Sequence, residues 1–169
     1  MCTLKRSSHQ GFMKRALHQA KQSLMRDEVP VGVVLCHDPL GRVIFEGHNL
    51  TQTLKTPLAH AEMLAIQEGL RTLQAPFLTD CTLYVTLEPC AFCAAGLILS
   101  RVGRVVFGAY NPKGGALVHG PRLFDTSPSF VPSYVGGVRE DEAGQLLQTF
   151  FQQKRKASPE APDFGPWGG

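Results

Sequence analysis

Two short runs carry the residue types that could do chemistry together: His60-Ala61-Glu62 and, further along, Cys90-Ala91-Phe92-Cys93. Cysteines three apart at a helix start project from one face. The unpaired N–H groups there, with the helix dipole, favour thiolate over thiol. Thiolate is the form that binds zinc. His60 opens an earlier helical segment in the matching position, so two helix starts can deliver ligands to one ion. Two thiolates cancel the charge of Zn2+, and a neutral imidazole adds none. Three protein ligands leave one tetrahedral position for water, which zinc acidifies to a pKa of about 7. Glu62, two residues past the histidine, is then near enough to take that proton and pass it on. Aliphatic neighbours would raise its pKa and suit it to shuttling near neutral pH.

A structural zinc site is the plainer alternative, but such sites use four protein ligands, commonly in two close pairs. Only one close cysteine pair exists here. Cys2, Cys36 and Cys81 stand alone, and His9, His18, His37, His48 and His119 have no partner at ligand spacing. A lone Cys-x-x-Cys also marks redox pairs. The His-Ala-Glu run and the proline before Cys90 make the catalytic metal reading the stronger one.

These runs need a scaffold to bring them together. Met13, Ala16, Leu17, Ala20 and Leu24 recur at helical spacing and predict an amphipathic helix over Gln10–Leu24. Val29–His37 reads as a buried strand, Asp38-Pro39-Leu40-Gly41 as a turn, and Val43–Gly47 as the returning strand of a hairpin. A helix follows over Ala59–Leu73, an alternating strand over Thr82–Pro89, an apolar helix over Cys90–Arg101 and a strand over Arg104–Tyr110. That strand, helix and strand order implies parallel pairing. Ser133–Val138 is expected as a fifth strand and Arg139–Lys156 as a last helix. The expected fold is one α/β domain over residues 1–156, with helices covering a mixed five-stranded sheet. A Pro- and Gly-rich tail over 157–169 is expected to be disordered.

Composition limits the remaining classes. The longest apolar stretch, Cys90–Leu99, is half the length of about 20 residues that a membrane span needs. No signal-peptide core follows the N-terminus. Five cysteines, an odd number with a single close pair, suit a reducing compartment where thiols bind metal, and a cytoplasmic protein is expected. The net charge of +3 permits contact with an acidic polymer without requiring it.

The motifs His-Ala-Glu and Pro-Cys-Ala-Phe-Cys resemble the zinc signature of the cytidine-deaminase-like superfamily. Within it the chain is most similar to the tRNA-specific adenosine deaminases. The similarity runs from about Phe12 to Phe151. It includes Glu28-Val29-Pro30-Val31-Gly32, Gly47-His48-Asn49 and Thr82 to Cys90, continuing through Ser100-Arg101 and Arg104 to Gly108. The resemblance implies a three-layer α/β/α sandwich and zinc on His60, Cys90 and Cys93, with Glu62 as the proton shuttle. It also implies substrate contacts at Asn49, Val31, Ala61 and Lys113, and a homodimer. The expected activity is conversion of adenosine to inosine at the wobble position of a tRNA anticodon loop. Leu58, Phe92, Asn111 and the Leu117–Pro132 segment depart from the family pattern, all away from the zinc residues.

The last helix has two readings. Phe150 and Phe151 followed by Lys154-Arg155-Lys156 resemble the family segment that meets the anticodon stem-loop, and stacking with phosphate contacts suits a single-stranded loop. Equally, Ala143, Leu146, Leu147, Phe150 and Phe151 share one helical face, as core packing requires. Two rival functions share the metal residues: a deaminase of a free base or nucleoside such as guanine, cytosine or cytidine, and a silent subunit that positions RNA for a partner. Glu62 speaks against the second, since an inactive subunit needs no proton shuttle.

Overall fold

The computed structural model describes residues 6–157. Its elements are α1 (Arg6–Leu24), β1 (Gly32–His37), β2 (Arg42–His48), α2 (Ala61–Leu73), β3 (Cys81–Leu87), α3 (Ala91–Leu99), β4 (Arg104–Ala109), α4 (Leu123–Thr126), β5 (Ser133–Val135) and α5 (Glu140–Ala157). The strands form one sheet in the order β2-β1-β3-β4-β5. β1 pairs antiparallel with β2 and β3, while β3, β4 and β5 run parallel. The sheet is mixed, as the hairpin and the strand-helix-strand unit together required.

Side chains alternate across the sheet, and each set meets its own pair of helices. Val33, Leu35, Leu83, Val85, Val105 and Phe107 pack with Ala61, Ala65 and Ile66 of α2 and with Ala94 and Leu97 of α3. On the other face Val34, Cys36, Tyr84 and Val106 meet Met13, Ala16 and Leu17 of α1 and Ala143 and Leu147 of α5. Period-two strands between period-3.6 helices give the α/β/α layering. Gly32 sets the closeness of α1 to the sheet. A Cβ there would stand 2.0 Å from the Ala16 carbonyl oxygen and 2.5 Å from the Ala20 nitrogen.

Several boundaries differ from the expected ones, for local reasons. β1 begins at Gly32 because Pro30 has no N–H to donate and Val31 N–H turns back to the Val29 carbonyl. β5 stops at Val135, where Gly136 follows and Gly137 adopts φ +79°. The stretch after Asn111 contains the single turn α4 and a loop folded around a buried carboxylate, described below. Of the tail expected over 157–169, Ala157 closes α5 and the rest lies outside the described residues, as does Cys2.

Candidate active site

α2 and α3 start at the same end of one layer, and their cap positions are His60 and Cys90. Both caps have extended backbone (ψ 145° and 172°) and neither side chain caps its own helix. The imidazole and the thiol are therefore free to point away from their helices. Cys93 sits one turn into α3 and is fully buried. The ligand atoms of His60, Cys90 and Cys93 lie within 4.8 Å of one another.

The spacing fits a tetrahedral ion. Zinc bonds of about 2.3 Å to sulfur and 2.0–2.1 Å to nitrogen, meeting at the tetrahedral angle, put the two ligand atoms about 3.5 Å apart. His60 Nδ1 lies 3.4 Å from Cys93 Sγ and 3.7 Å from Cys90 Sγ. Hydrogen bonding from Cys93, opposed by burial, and then His60 hold the Cys90 thiol down at about 4. The Cys93 thiol is pushed up by that same Cys90 contact and by burial. Without a cation one of the two thiols keeps its proton; a divalent ion supplies the charge that lets both ionise.

Glu62 occupies the second position of α2 and is only 5% exposed. Burial, then the charge on Cys90, pushes its carboxyl up to about 7. That is the direction the apolar surroundings led one to expect. Ala61 beside it is fully buried in the core, and Val31 is nearly so. Backbone hydrogen bonds bring a third segment to the cluster: Asn49 N–H donates to the Val31 carbonyl at 2.9 Å and Leu50 N–H to the Ala59 carbonyl at 3.0 Å. Asn49 is thus tied beside the residue that precedes His60, and its side chain is buried.

A further segment joins through Glu88, a residue sequence reasoning passed over. Glu88 is fully buried. Its Oε1 accepts the N–H groups of Leu117, Val118 and His119, and its Oε2 accepts Asn111 N–H and meets His119 Nδ1 at 2.8 Å. This one carboxylate closes the loop after β4 over the start of α3, where Cys90 bridges to Gly115. A Cβ on Gly115 would stand 2.5 Å from the Glu88 carboxyl carbon. Lys113 is carried on that loop and is exposed. The only hint of the arrangement in the sequence was a charged residue at the end of a strand that carries no other charge.

The C-terminal residues fall elsewhere. α5 packs on the sheet face opposite α2 and α3. Phe150 is 6% exposed and edge-on to Phe151 at 5.2 Å. Its expected role in substrate contact is corrected, since a buried ring has no free face on which a base could stack. Lys154 is exposed and pairs with Asp27, while Arg155 is exposed. Cys36 and Cys81 are buried free thiols, each pushed up to about 12 by burial. Among the described residues, His60, Cys90 and Cys93 form the one cluster of ligand-bearing side chains.

Comparison with known proteins agrees with this geometry. The model of the cytidine and deoxycytidylate deaminase zinc-binding region matches residues 6–109. The tRNA-specific adenosine deaminase of Bacillus subtilis is 43% identical over 146 residues, covering 86% of this chain and 89% of that one. Its counterpart in Aquifex aeolicus is 40% identical over 149 residues, covering 85% and 94%. A structure solved in studies of A-to-I editing by tRNA:A34 deaminases at the wobble position of transfer RNA is also similar. It superimposes with a TM-score of 0.77 at 41% identity, covering 81% of this chain and 99% of that one. From its first helix through its fourth strand, this chain belongs to the cytidine and deoxycytidylate deaminase zinc-binding family.

Proposed function

We propose that this protein hydrolyses adenosine to inosine at the wobble position of a tRNA anticodon loop. The observation that carries the reading is likeness to tRNA-specific adenosine deaminases at 40% identity or more over nearly their whole length. In the proposed site His60, Cys90 and Cys93 hold zinc. Zinc bound there supplies a Lewis acid and lowers the pKa of a water at its open position.

Glu62 does the proton work. Its carboxylate takes a proton from the attacking water and gives it to ring nitrogen N1 as C6 becomes tetrahedral. The carboxylate then takes the proton of the new C6 hydroxyl and passes it to the departing amine, so adenosine and water become inosine and ammonia. Burial raises this carboxyl, which suits a group that must both accept and release protons near neutral pH. Asn49 hydrogen-bonds the extruded base, with Val31, Lys113 and, through its main chain at the start of α2, Ala61 as further substrate contacts. Arg155 and Lys154 meet RNA phosphates, Lys154 by exchanging its partner Asp27 for phosphate. The protein acts as a homodimer in the cytoplasm. Among the described residues no helix is long and apolar enough to cross a membrane.

The test is incubation of the zinc-loaded protein with an anticodon stem-loop carrying adenosine, in parallel with free guanine, cytosine, adenosine and cytidine. Inosine in the RNA with untouched free compounds is the expected result. Ammonia from a free base or nucleoside, with the RNA unaltered, would replace this substrate with the smaller one.

A further inference from the structure

Glu28 lies between α1 and β1, and its carboxylate is fully buried. Among the described residues no cation pairs with it. Its partners are instead the segment that follows β2. Thr53 N–H donates to Oε1 at 2.6 Å, and Thr51 Oγ1 and Asn49 Nδ2 each donate to Oε2 at 3.2 Å. Burial pushes the Glu28 carboxyl up, but the hydrogen bonds from Thr53, Gln52 and Thr51 outweigh it and bring it below the usual range. It is ionised, so it can only accept.

That fixes which way the Asn49 amide faces. A carboxylate oxygen repels the amide oxygen and takes the amide nitrogen. Thr51 has one hydroxyl hydrogen, spent on Glu28, so its oxygen accepts from Asn49 Nδ2 at 3.1 Å. The three atoms form a nearly equilateral triangle with sides of 3.2, 3.1 and 3.2 Å. The two acceptors therefore subtend about 60° at Nδ2, half the angle of about 120° between the hydrogens of a planar amide. So narrow an angle allows one N–H to serve both acceptors in a three-centre bond, which leaves the other N–H for a further acceptor; among the described residues the amide oxygen has no partner.

We propose that Glu28 is a positioning residue for the reaction: it locks the Asn49 amide so that one fixed N–H is presented to a ring-nitrogen acceptor of the substrate base. The inference rests on the proposed contact between Asn49 and the base. A neutral amide in place of Glu28 could offer either a donor or an acceptor to Asn49. The asparagine would then flip between two orientations, one of which turns its oxygen towards the acceptor on the base.

The experiment is a double-mutant cycle of Glu28→Gln and Asn49→Ala in the zinc-loaded full chain, measured on the adenosine stem-loop with zinc content and Tm alongside. Glu28→Gln is expected to lower kcat/KM about tenfold, the effect of one misdirected hydrogen bond, with zinc content unchanged. In the Asn49→Ala background the same change should cost nothing further, because no amide remains to be oriented. A merely structural Glu28 would impose its loss in both backgrounds. Additive losses, or wild-type kcat/KM in Glu28→Gln, would overturn the proposal. Should Glu28→Gln fail to fold, Thr51→Val takes its place in the cycle and is judged by the same additivity. A wild type inactive on RNA would refute the substrate instead, and the cycle would then be run on the free compound it deaminates.

Discussion

His60 and Cys90 hold equivalent places: each caps a helix with extended backbone, and Nδ1 of one lies 3.7 Å from Sγ of the other. Two helix starts from different parts of the chain thus converge on a point where Cys93 is already buried. Parallel pairing of β3 with β4 puts α3 alongside α2 on one face of the sheet, which makes the convergence possible.

Removal of one ligand should remove the metal. Cys93→Ser is expected to lose stoichiometric zinc and all deaminase activity, by metal analysis of the purified protein. Chelation of the wild type should lower Tm in the same direction, since an ion that binds only the folded state stabilises it. Equal Tm with and without chelator would argue that these residues do not hold a metal.

Glu62→Gln separates chemistry from binding. Zinc content should stay at one per chain while kcat falls about 10²- to 10⁴-fold, the usual worth of a positioned general acid-base. Metal-free protein offers a second readout. Folding raises this carboxyl from its ordinary 4.5 to about 7, so the folded state holds the proton more tightly than the unfolded one. The resulting stabilisation is present below pH 4.5 and is lost as the pH rises through about 7. Metal-free Glu62→Gln should therefore be the more stable protein at pH 8, by up to about 3 kcal/mol. The difference should vanish towards pH 4. Urea titrations at both pH values would measure it.

Gly32→Ala should be costly although it adds one methyl group. The new carbon meets backbone atoms of α1, which cannot rotate aside as a side chain can. A loss of about 1–3 kcal/mol is expected from overpacking, read as a lower Tm. The same shift would disturb Asn49, because Gly32 pairs with His48 at the end of β2. A variant with wild-type Tm would show that α1 can move freely.

Phe150 and Arg155 should separate cleanly. Phe150→Ala is expected to cost about 3–5 kcal/mol of stability, as for other large core side chains. Arg155→Ala should leave Tm unchanged, weaken stem-loop binding, and reduce the salt dependence of that binding by about one phosphate contact. An unchanged Tm in Phe150→Ala would return that ring to the surface.

The expected Phe150 contact failed for a specific reason. Helical spacing placed Phe150 on the same face as Ala143 and Leu147, but spacing cannot say whether such a face meets a sheet or a ligand. The sheet decided it. α5 covers the face opposite the metal cluster, and the apolar stripe is spent on packing.

His60, Glu62, Cys90 and Cys93 were legible in the sequence because their meaning is local. Two residues between the cysteines and one between histidine and glutamate already set their faces on a helix, and ligand chemistry names the metal. The mixed sheet was legible for the same reason, since period-two and period-3.6 patterns report on single elements. The work of Glu28 and Glu88 was not. Glu28 meets Asn49, Thr51 and Thr53, and Glu88 meets Asn111 and the Leu117–His119 backbone. In a sequence each is one more acidic residue, with solvent as its default partner. Only the folded chain removes that solvent and supplies distant N–H and O–H groups in its place, and this exchange turns an ordinary carboxylate into the fixed point around which a site is arranged.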